Sequence, residues 1–295
     1  MKLEKLQNKK IAIWGFGVEG KATANYLNAK GFEFDVFAKA EEQVADFSFV
    51  TTTVDLSLLN QYDVIIKSPG IRPYQDLIQQ AIAQFTSSTA LWFNNEKKIP
   101  VIAISGTKGK STTCSLLAHV LNSAGLRVSL VGNIGEPLLV CDQNSDFVFM
   151  ESSSYQIYDG EIQTDIALLT NLFQEHLDLH INVQNYYLDI TQLFKNSKIN
   201  LINFTSQKLL EQTQKYSVRY FNHESGFWVH NKSLYFQDEL ILNLNDIKLL
   251  GEHNLENIAA VFSICNYIGI NLQTAIASVL HFEPLAHRLQ SLGKI

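Results

Sequence analysis

Residues 103–113 of the 295-residue chain read AISGTKGKSTT and contain the residue types that bind the phosphates of a nucleotide. The glycines of this loop let backbone amides approach a phosphate, and Lys110 supplies a positive charge that can reach the β- and γ-phosphates. The hydroxyl of Ser111 can bind Mg²⁺. Ile104 stands where the usual pattern has its first glycine, so the loop is a shortened form. We therefore predict ATP and Mg²⁺ as ligands, with ATP bound by Gly106, Thr107, Lys108, Gly109, Lys110, Ser111 and Thr112.

A second glycine loop, GFGVEG at residues 15–20, suits a different nucleotide. It could present the backbone amides of Gly17, Val18 and Glu19 to a phosphate at a helix N-terminus. A nicotinamide-binding fold also needs an acidic residue at the end of the next strand, where residues 37–39 are Phe, Ala and Lys. The NAD hypothesis therefore lacks its ribose anchor. A phosphate-contacting loop and a plain packing turn both remain open.

Both loops lie between a short apolar run and a helical pattern, and this placement predicts the fold. Apolar runs without alternation are typical of strands buried on both faces of a parallel sheet. Strand followed by helix, repeated, predicts an α/β protein. The predicted strands are residues 11–14, 64–67, 101–104, 147–150 and 166–169, and the predicted helices are residues 21–29, 74–85 and 111–124.

Two units follow from this order. We predict a Rossmann-like parallel-sheet domain at residues 1–94 and a P-loop α/β ATPase domain at residues 95–291. The junction is placed in the stretch TSSTALWFNNEKKIP, which is polar at both ends and rich in turn formers. The alternating segments VRYFN, GFWVH, SLYFQ and LILNL predict a small antiparallel patch within the second unit.

Composition excludes several classes of partner. The net charge is −6, the pI is about 5.8, and the 23 Lys and Arg are scattered, so a nucleic-acid surface is not expected. No stretch approaches the roughly 18 apolar residues of a membrane span, and the N-terminal apolar run is too short for a signal peptide. The three cysteines form no C-x-x-C pair. We expect a cytoplasmic protein, and a monomer.

The stretch GTKGKSTT after an apolar strand resembles the ATP loop of the Mur ligases, the amide-forming enzymes of peptidoglycan precursor synthesis. Further stretches occur in that family's order: GNIG at 132–135, ESSSYQ at 151–156, TNLFQEHLDLH at 170–180, GEHNLEN at 251–257 and AHRLQ at 286–290. The combination of GFGVEG, SPG at 68–70, GNIG and ESSSYQ resembles the MurD type, which joins D-glutamate to UDP-N-acetylmuramoyl-L-alanine. The resemblance covers the whole chain.

The resemblance implies that the γ-phosphate of ATP passes to a substrate carboxylate and that an amine attacks the resulting acyl phosphate. By match to the family motifs, the catalytic residues are Lys110, Glu151 and His176, and the Mg²⁺ ligands are Ser111, Glu151 and His176. Asn257 and Arg288 match positions that contact ATP. The residues implied for the UDP-sugar substrate are Gly17, Val18, Glu19, Ser68, Pro69, Gly70 and Asn133.

Two local departures from the family pattern stand out. In the MurD type, a lysine fifteen residues after the family histidine is carbamylated, and the carbamate binds a second Mg²⁺. In this chain that histidine is His176, and the position of the lysine is occupied by Thr191. Lys195, one helical turn further on, and Asp189 are the alternative ligands. The acidic and arginine residues usual after the second strand are replaced by alanine at positions 38 and 40, which predicts fewer side-chain contacts to the uridine.

Length is the larger departure. Mur ligases have a third, C-terminal domain that binds the incoming amino acid, and this chain ends at Ile295, a few residues past the AHRLQ motif. We interpret residues 292–295 as the start of a linker and expect a chain that lacks the third domain and is incomplete for full turnover.

Several other hypotheses remain open. A divergent Mur-like ATPase could act on another cell-wall substrate with a partner protein, and a non-catalytic nucleotide-binding module would keep both loops. A nicotinamide-dependent dehydrogenase would use only GFGVEG. His176 and His180 share the spacing of a zinc pair, but the Glu of H-E-x-x-H is missing between them.

Overall fold

The computed structural model describes residues 1–39, 50–51, 53–173 and 182–283. Over those residues the chain forms a five-stranded sheet, a six-stranded sheet and a three-stranded sheet. The predicted fold class is confirmed, with a Rossmann-like parallel sheet followed by a P-loop α/β unit that carries a small antiparallel patch.

The first sheet is parallel, with its strands in the order β3-β2-β1-β4-β5. These strands are β1 (Ile11–Trp14), β2 (Asp35–Phe37), β3 (Val50–Thr51), β4 (Val64–Lys67) and β5 (Gln84–Thr86). Helices α1 (Val18–Ala29), α2 (Leu56–Leu59) and α3 (Asp76–Gln80) belong to the same unit. Alternate residues of β1 pack on opposite sides, Ile13 with Leu27 of α1 and Ala12 with Leu59 of α2, so both faces are covered.

The second sheet is also parallel, with its strands in the order β11-β10-β9-β6-β8-β7. These strands are β6 (Val101–Ser105), β7 (Val128–Gly132), β8 (Phe147–Glu151), β9 (Thr164–Leu169), β10 (Ser197–Asn203) and β11 (Arg219–Phe221). Every residue of β6 is buried, because this strand lies in the middle of the sheet between β8 and β9.

Seven helices accompany the second sheet in the described part of the chain. They are α4 (Ser88–Asn95), α5 (Lys110–Ser123), α6 (Ser154–Asp159), α7 (Val183–Thr191), α8 (Gln207–Gln212), α9 (His253–Ile268) and α10 (Leu272–His281). Helices α5, α9 and α10 share one hydrophobic core, and α4, α6, α7 and α8 share another. The predicted helix at residues 111–124 is confirmed as α5, with Gly125 following in a left-handed conformation.

The third sheet is antiparallel and contains β12 (Phe227–His230), β13 (Ser233–Phe236) and β14 (Glu239–Asn243). The prediction that VRYFN belongs to it is wrong. Residues of that stretch form β11, which pairs in parallel with β10 at the edge of the second sheet. This pairing buries Phe221 in the core beside α9, and a short alternating stretch gives no sign of such a distant partner.

The predicted helix at residues 74–85 is largely wrong. Only α3 is helical there, and Ala81 already has extended backbone angles. Strand β5 follows and gives β4 its second neighbour, with Phe85 opposite Ile65. The strand pairing outweighs the local helical propensity, as tertiary contacts commonly do.

The predicted turn-rich junction forms a helix over most of its length. Ser87 caps α4, since its hydroxyl accepts a hydrogen bond from the amide of Ala90 at 3.1 Å. Leu91 packs in the core of the first sheet and Trp92 in that of the second. The two sheets are therefore joined by a shared helix, and the predicted boundary at residue 94 falls within it.

Candidate functional site

The predicted phosphate loop connects β6 to α5 and is closely packed at both glycines. Gly106 and Gly109 have φ angles of 130° and 85°, which favour glycine. A Cβ atom on Gly106 would lie 2.2 Å from Oγ1 of Thr170, and one on Gly109 would lie 2.6 Å from Oδ1 of Asn257. The loop therefore requires glycine at both positions, for conformation and for space.

Lys110 begins α5, and its side chain lies back across the loop. Its ammonium donates hydrogen bonds to the carbonyl oxygens of Gly106 at 2.7 Å and Thr107 at 3.0 Å. Ser111, the next residue of α5, is buried. No side chain caps this helix in the described structure, so its N-terminus presents backbone amides and the positive end of the helix dipole to the loop.

Asn171 is a loop residue that sequence reasoning missed. Its backbone carbonyl accepts from the amide of Thr107 at 3.0 Å, and its side-chain oxygen accepts from the amide of Lys108 at 2.8 Å. We expected these amides to bind phosphate, but in the structure both of them donate hydrogen bonds to Asn171. The only sequence signal was that Asn171 lies in the TNLF part of a family motif.

A cavity of about 1150 Å³ opens beside the loop. Of the predicted ATP residues, Lys108, Gly109, Thr112 and Asn257 line it. The cavity also has apolar walls that sequence reasoning did not assign, from Phe173, Phe221, Leu249, Leu250 and Phe282. Such a mixture of apolar walls and a few polar groups is typical of a small-molecule or cofactor site.

Glu151 lies at the end of β8 and is 1% exposed. Its Oε1 accepts a hydrogen bond from the side-chain amide of Asn133 at 2.9 Å. Its Oε2 has no hydrogen-bond partner among the described residues, although it is buried. A buried carboxylate oxygen is costly without a partner, and an oxygen ligand of this kind fits Mg²⁺.

The thiol of Cys114 on α5 indicates how these charges are arranged. Burial raises the pKa of Cys114 well above its ordinary value, the Glu151 carboxylate raises it further, and the Lys110 ammonium lowers it. The Glu151 carboxylate at the end of β8 and the Lys110 ammonium at the start of α5 therefore act on the same buried thiol in opposite directions.

The other predicted residues meet in a separate cleft of about 480 Å³. All seven residues predicted for the UDP-sugar line it, namely Gly17, Val18, Glu19, Ser68, Pro69, Gly70 and Asn133. Ser68 fixes the two loops of this cleft together, since its hydroxyl donates to the carbonyl of Gly15 at 3.0 Å and its amide to that of Trp14 at 2.8 Å.

Glu19 contributes a half-buried carboxylate to this cleft, whereas we expected only its backbone amide. Its Oε2 accepts a hydrogen bond from the hydroxyl of Ser88 at 2.6 Å. Burial raises the pKa of Glu19, and the hydrogen bonds from Ser88 and Gln156 oppose this shift. The side chain therefore keeps its proton to a higher pH than a free glutamate does.

Lys39 also lines the cleft, together with Phe37 and Ala38. Sequence analysis counted the loss of family side chains at positions 38 and 40 and missed the lysine between them. Position 40 lies outside the described residues, so only Ala38 can be placed. Lys39 is a cationic residue, and it lines the cleft beside Ala38, where the sequence predicted the loss of a side-chain contact to the uridine.

Two predicted residues, His176 and Arg288, lie outside the described residues, and so does His180. Within the described ranges, no group of three or more His, Cys, Asp or Glu residues could hold a metal ion. The same part of the chain has no helix long and apolar enough to cross a membrane.

The helix at the predicted carbamate position is described. Thr191 is buried, and its hydroxyl donates to the carbonyl of Leu188 at 3.0 Å. Asp189, the alternative oxygen ligand, accepts a hydrogen bond from the hydroxyl of Tyr74 at 2.7 Å. Lys195 is exposed. Asp189 thus contacts a loop of the first sheet.

Two parallel sheets, a glycine loop at the end of β6, a buried carboxylate at the end of β8 and a separate cleft at the first sheet together define the class of α/β protein to which this chain is compared. Residues 104–265 match the model of the Mur ligase middle domain, and residues 9–88 match that of the Mur ligase MurD-like N-terminal domain. The chain belongs to the Mur ligase family of ATP-dependent amide-forming enzymes, which confirms the predicted class of ligase in peptidoglycan precursor synthesis.

Curated relatives match over the whole chain. The UDP-N-acetylmuramoyl-L-alanine–L-glutamate ligase of Xanthomonas axonopodis pv. citri is 36% identical, and the match covers 100% of this chain and 68% of the relative. The corresponding L-glutamate ligase of Xylella fastidiosa is 34% identical with the same coverage. The UDP-N-acetylmuramoylalanine–D-glutamate ligase of Oenococcus oeni is 31% identical over 98% of this chain and 68% of the relative.

Solved structures show the same fold. The UDP-N-acetylmuramate:L-alanyl-gamma-D-glutamyl-meso-diaminopimelate ligase from Neisseria meningitides superposes with a TM-score of 0.65 at 20% identity. The superposition covers 95% of this chain and 99% of that one. A pseudomurein peptide ligase type C from Methanothermus fervidus gives a TM-score of 0.58 at 20% identity, over 97% of this chain and 73% of the other.

Proposed function

We propose that this chain binds UDP-N-acetylmuramoyl-L-alanine in the 480 Å³ cleft and Mg-ATP at the phosphate loop and the 1150 Å³ cavity. The observation that supports this assignment most strongly is the position of Asn133. This residue lines the cleft and donates its side-chain amide to Glu151 at 2.9 Å. The substrate cleft and the candidate Mg²⁺ carboxylate are therefore one hydrogen bond apart.

The proposed reaction activates the alanyl carboxylate of the substrate. A carboxylate oxygen attacks the γ-phosphorus, the bond to the β-phosphate oxygen breaks, and ADP leaves. The amine of glutamate then attacks the acyl carbon, loses a proton, and displaces inorganic phosphate. Both steps bring anions together, so the protein acts mainly by positioning the reactants and supplying positive charge.

Lys110 supplies that charge from the protein. Its ammonium already lies on the inner side of the loop, bonded to two loop carbonyls, and a bound phosphate would compete with those carbonyls for it. Ser111 and Glu151 would hold Mg²⁺, which neutralises phosphate charge. His176 as a further metal ligand and Arg288 as an ATP contact remain predictions.

A trapping experiment tests this proposal. Hydroxylamine replaces the amino acid as nucleophile and converts an acyl phosphate into a hydroxamate, so only the two described sites are needed. We expect UDP-N-acetylmuramoyl-L-alanyl hydroxamate to form only when ATP and Mg²⁺ are both present. Binding of both ligands without any hydroxamate would contradict the phosphoryl-transfer step.

The enantiomer of glutamate is the finer part of the proposal. The sequence resemblance suggested D-glutamate, whereas the relatives with 34% to 36% identity are named L-glutamate ligases. We propose L-glutamate on the basis of that higher identity. Supplying each enantiomer in place of hydroxylamine to a chain extended by the C-terminal domain of a relative, and comparing the amide products, decides between them. We further propose a cytoplasmic monomer with a boundary near residue 94.

Substrate binding should depend on the protonation of Glu19. A folded-state pKa that is raised means that protonation favours the folded chain, and a diphosphate nearby raises it further. UDP should therefore bind more weakly as the pH rises through the folded pKa of Glu19. Glu19→Gln should remove this dependence and, at a pH above the folded pKa of Glu19, tighten binding by about threefold to tenfold.

Isothermal titration of UDP from mildly acidic to mildly alkaline pH measures this effect. Glu33→Gln is the matched control, because it removes an exposed carboxylate of the same unit. An identical pH profile for Glu19→Gln and the parent would show that Glu19 does not face the diphosphate.

ATP binding should require Mg²⁺ but be indifferent to bicarbonate. Thr191 has no amine to carbamylate, and a threonine hydroxyl is a weak Mg²⁺ ligand. A crystal structure should show no carboxylated lysine between Asn185 and Lys198. Thr191→Lys is the positive control and should gain bicarbonate-dependent Mg²⁺ affinity. A bicarbonate dependence in the parent that Lys195→Ala abolishes would contradict the alignment of α7.

A further inference from the structure

A buried ion pair outside both sites connects the first sheet to the helices of the second. Lys67, the last residue of β4, is 2% exposed, and its ammonium donates to the carboxylate of Asp159 and to the carbonyl of Ile71 at 3.1 Å. Asp159 is the last residue of α6, with a side chain 9% exposed. Burial raises the pKa of Asp159, the Lys67 charge lowers it, and the Asp189 carboxylate raises it.

A second, half-buried contact lies a few residues further along the same loop. The hydroxyl of Tyr74 donates to Asp189 of α7, and the Tyr74 ring packs against that of Tyr158 with centroids 5.3 Å apart. Burial and the Asp189 carboxylate raise the pKa of Tyr74, so the hydroxyl stays protonated as a donor at neutral pH. Residues 67–74 are thus fixed to α6 and α7 near both ends.

The Ser68-Pro69-Gly70 turn lies between these two attachments. On its other side, Ser68 is bonded to Gly15 of the first glycine loop. The turn that forms one wall of the cleft is therefore bonded to the GFGVEG loop on one side and, through Lys67, to α6 on the other. Ile71, whose carbonyl accepts from Lys67, also lines the cleft.

Stability alone does not account for this pair. Desolvation makes a buried ion pair no more stabilising than apolar residues of similar volume in many proteins. An ammonium can, however, bond a carboxylate and a carbonyl at once, which an apolar side chain cannot do. The pair therefore sets the geometry of the turn relative to α6.

We infer that Lys67 and Asp159 are positioning residues for the UDP-sugar: they hold the Ser68-Pro69-Gly70 turn in place between the glycine loop and α6. This inference rests on the proposed function of the cleft. Loss of the pair displaces one wall of the cleft and leaves the phosphate loop between β6 and α5 intact. Affinity for UDP-N-acetylmuramoyl-L-alanine then falls while affinity for Mg-ATP does not.

Isothermal titration of each ligand against the parent and its variants tests the inference. We expect Lys67→Met to weaken UDP-N-acetylmuramoyl-L-alanine binding by about tenfold or more, because small displacements of positioning groups have large effects. Mg-ATP affinity should stay within about twofold of the parent. The double variant with Lys67→Met and Asp159→Leu leaves no unpaired charge and should show the same selective loss.

The control is Lys97→Met, which removes a half-buried pair with Asp165, 3.6 Å apart, whose residues do not line the cleft. Tyr74→Phe removes only the second attachment and should weaken substrate binding less, which keeps the test available if Lys67→Met fails to fold. A purely structural role would lower both affinities and the melting temperature together.

The possible failures are distinguishable. Unchanged substrate affinity in the folded double variant would overturn the positioning role and leave the proposed function in place. A parent chain that binds Mg-ATP but no UDP-N-acetylmuramoyl-L-alanine would overturn the function of the cleft, and the positioning role with it.

Discussion

Lys110→Ala should abolish most of the increase in melting temperature that Mg-ATP gives the parent chain. A ligand that binds only the folded chain stabilises it by mass action, so the shift reports the dissociation constant. Lys110 is the cation inside the phosphate loop, bonded at 2.7 Å to the carbonyl of Gly106. A charge-assisted hydrogen bond contributes about 1.5–3 kcal/mol, so affinity should fall by a factor of roughly 10 to 160.

Lys215→Ala is the matched control for this variant. Lys215 is an exposed lysine of the same unit and does not line the cavity. It should keep most of the thermal shift. Equal Mg-ATP affinity in Lys110→Ala and the parent would show that GTKGKST is not a phosphate loop.

Glu151→Gln should remove most of the Mg²⁺ dependence of ATP binding. The substitution keeps an oxygen for Asn133 but removes the carboxylate charge, and the buried Oε2 has no other partner among the described residues. An amide oxygen is a much weaker ligand for Mg²⁺ than a carboxylate. The factor by which Mg²⁺ enhances ATP affinity should fall by at least about tenfold, because about that much affinity is lost with one contact to a charged group.

The ligand-free stability of this variant gives an independent measure. A buried charge without a full set of partners costs free energy, so Glu151→Gln should unfold at the same or a slightly higher temperature than the parent without nucleotide. Glu136→Gln, which changes an exposed carboxylate in the neighbouring loop, is the control. An undiminished Mg²⁺ response in Glu151→Gln would place the metal elsewhere.

The features predictable from the sequence are those that depend on local pattern. Residues 11–14 and 101–104 are continuous apolar runs, and such runs are buried from both sides. Loops at the carboxyl ends of parallel strands share one edge of the sheet. The family resemblance assigned GFGVEG and SPG to one substrate, and the structure places both stretches at this edge, in one cleft.

The features that sequence analysis missed depend on distant partners. Strand β11 joins the second sheet through its pairing with β10. Asn171 accepts hydrogen bonds from two amides of the phosphate loop, although it lies more than 60 positions further along the chain. The buried Lys67 pairs with Asp159, 92 positions further along the chain. The run at 64–67 predicted a buried strand, but nothing in the sequence near Lys67 indicates which carboxylate pairs with its ammonium. The role of the Lys67 charge can be inferred only when the positions of both β4 and α6 are known.

The central claim is that the first cleft takes a UDP-sugar and the second site takes Mg-ATP. Equilibrium titration of the parent chain with UDP-N-acetylmuramoyl-L-alanine, and separately with NAD, tests it most directly. We predict saturable binding of the UDP-sugar at one site, retained in the presence of Mg-ATP, and no measurable binding of NAD. Tight NAD binding without UDP-sugar binding would contradict the account, because the GFGVEG loop would then belong to a dehydrogenase.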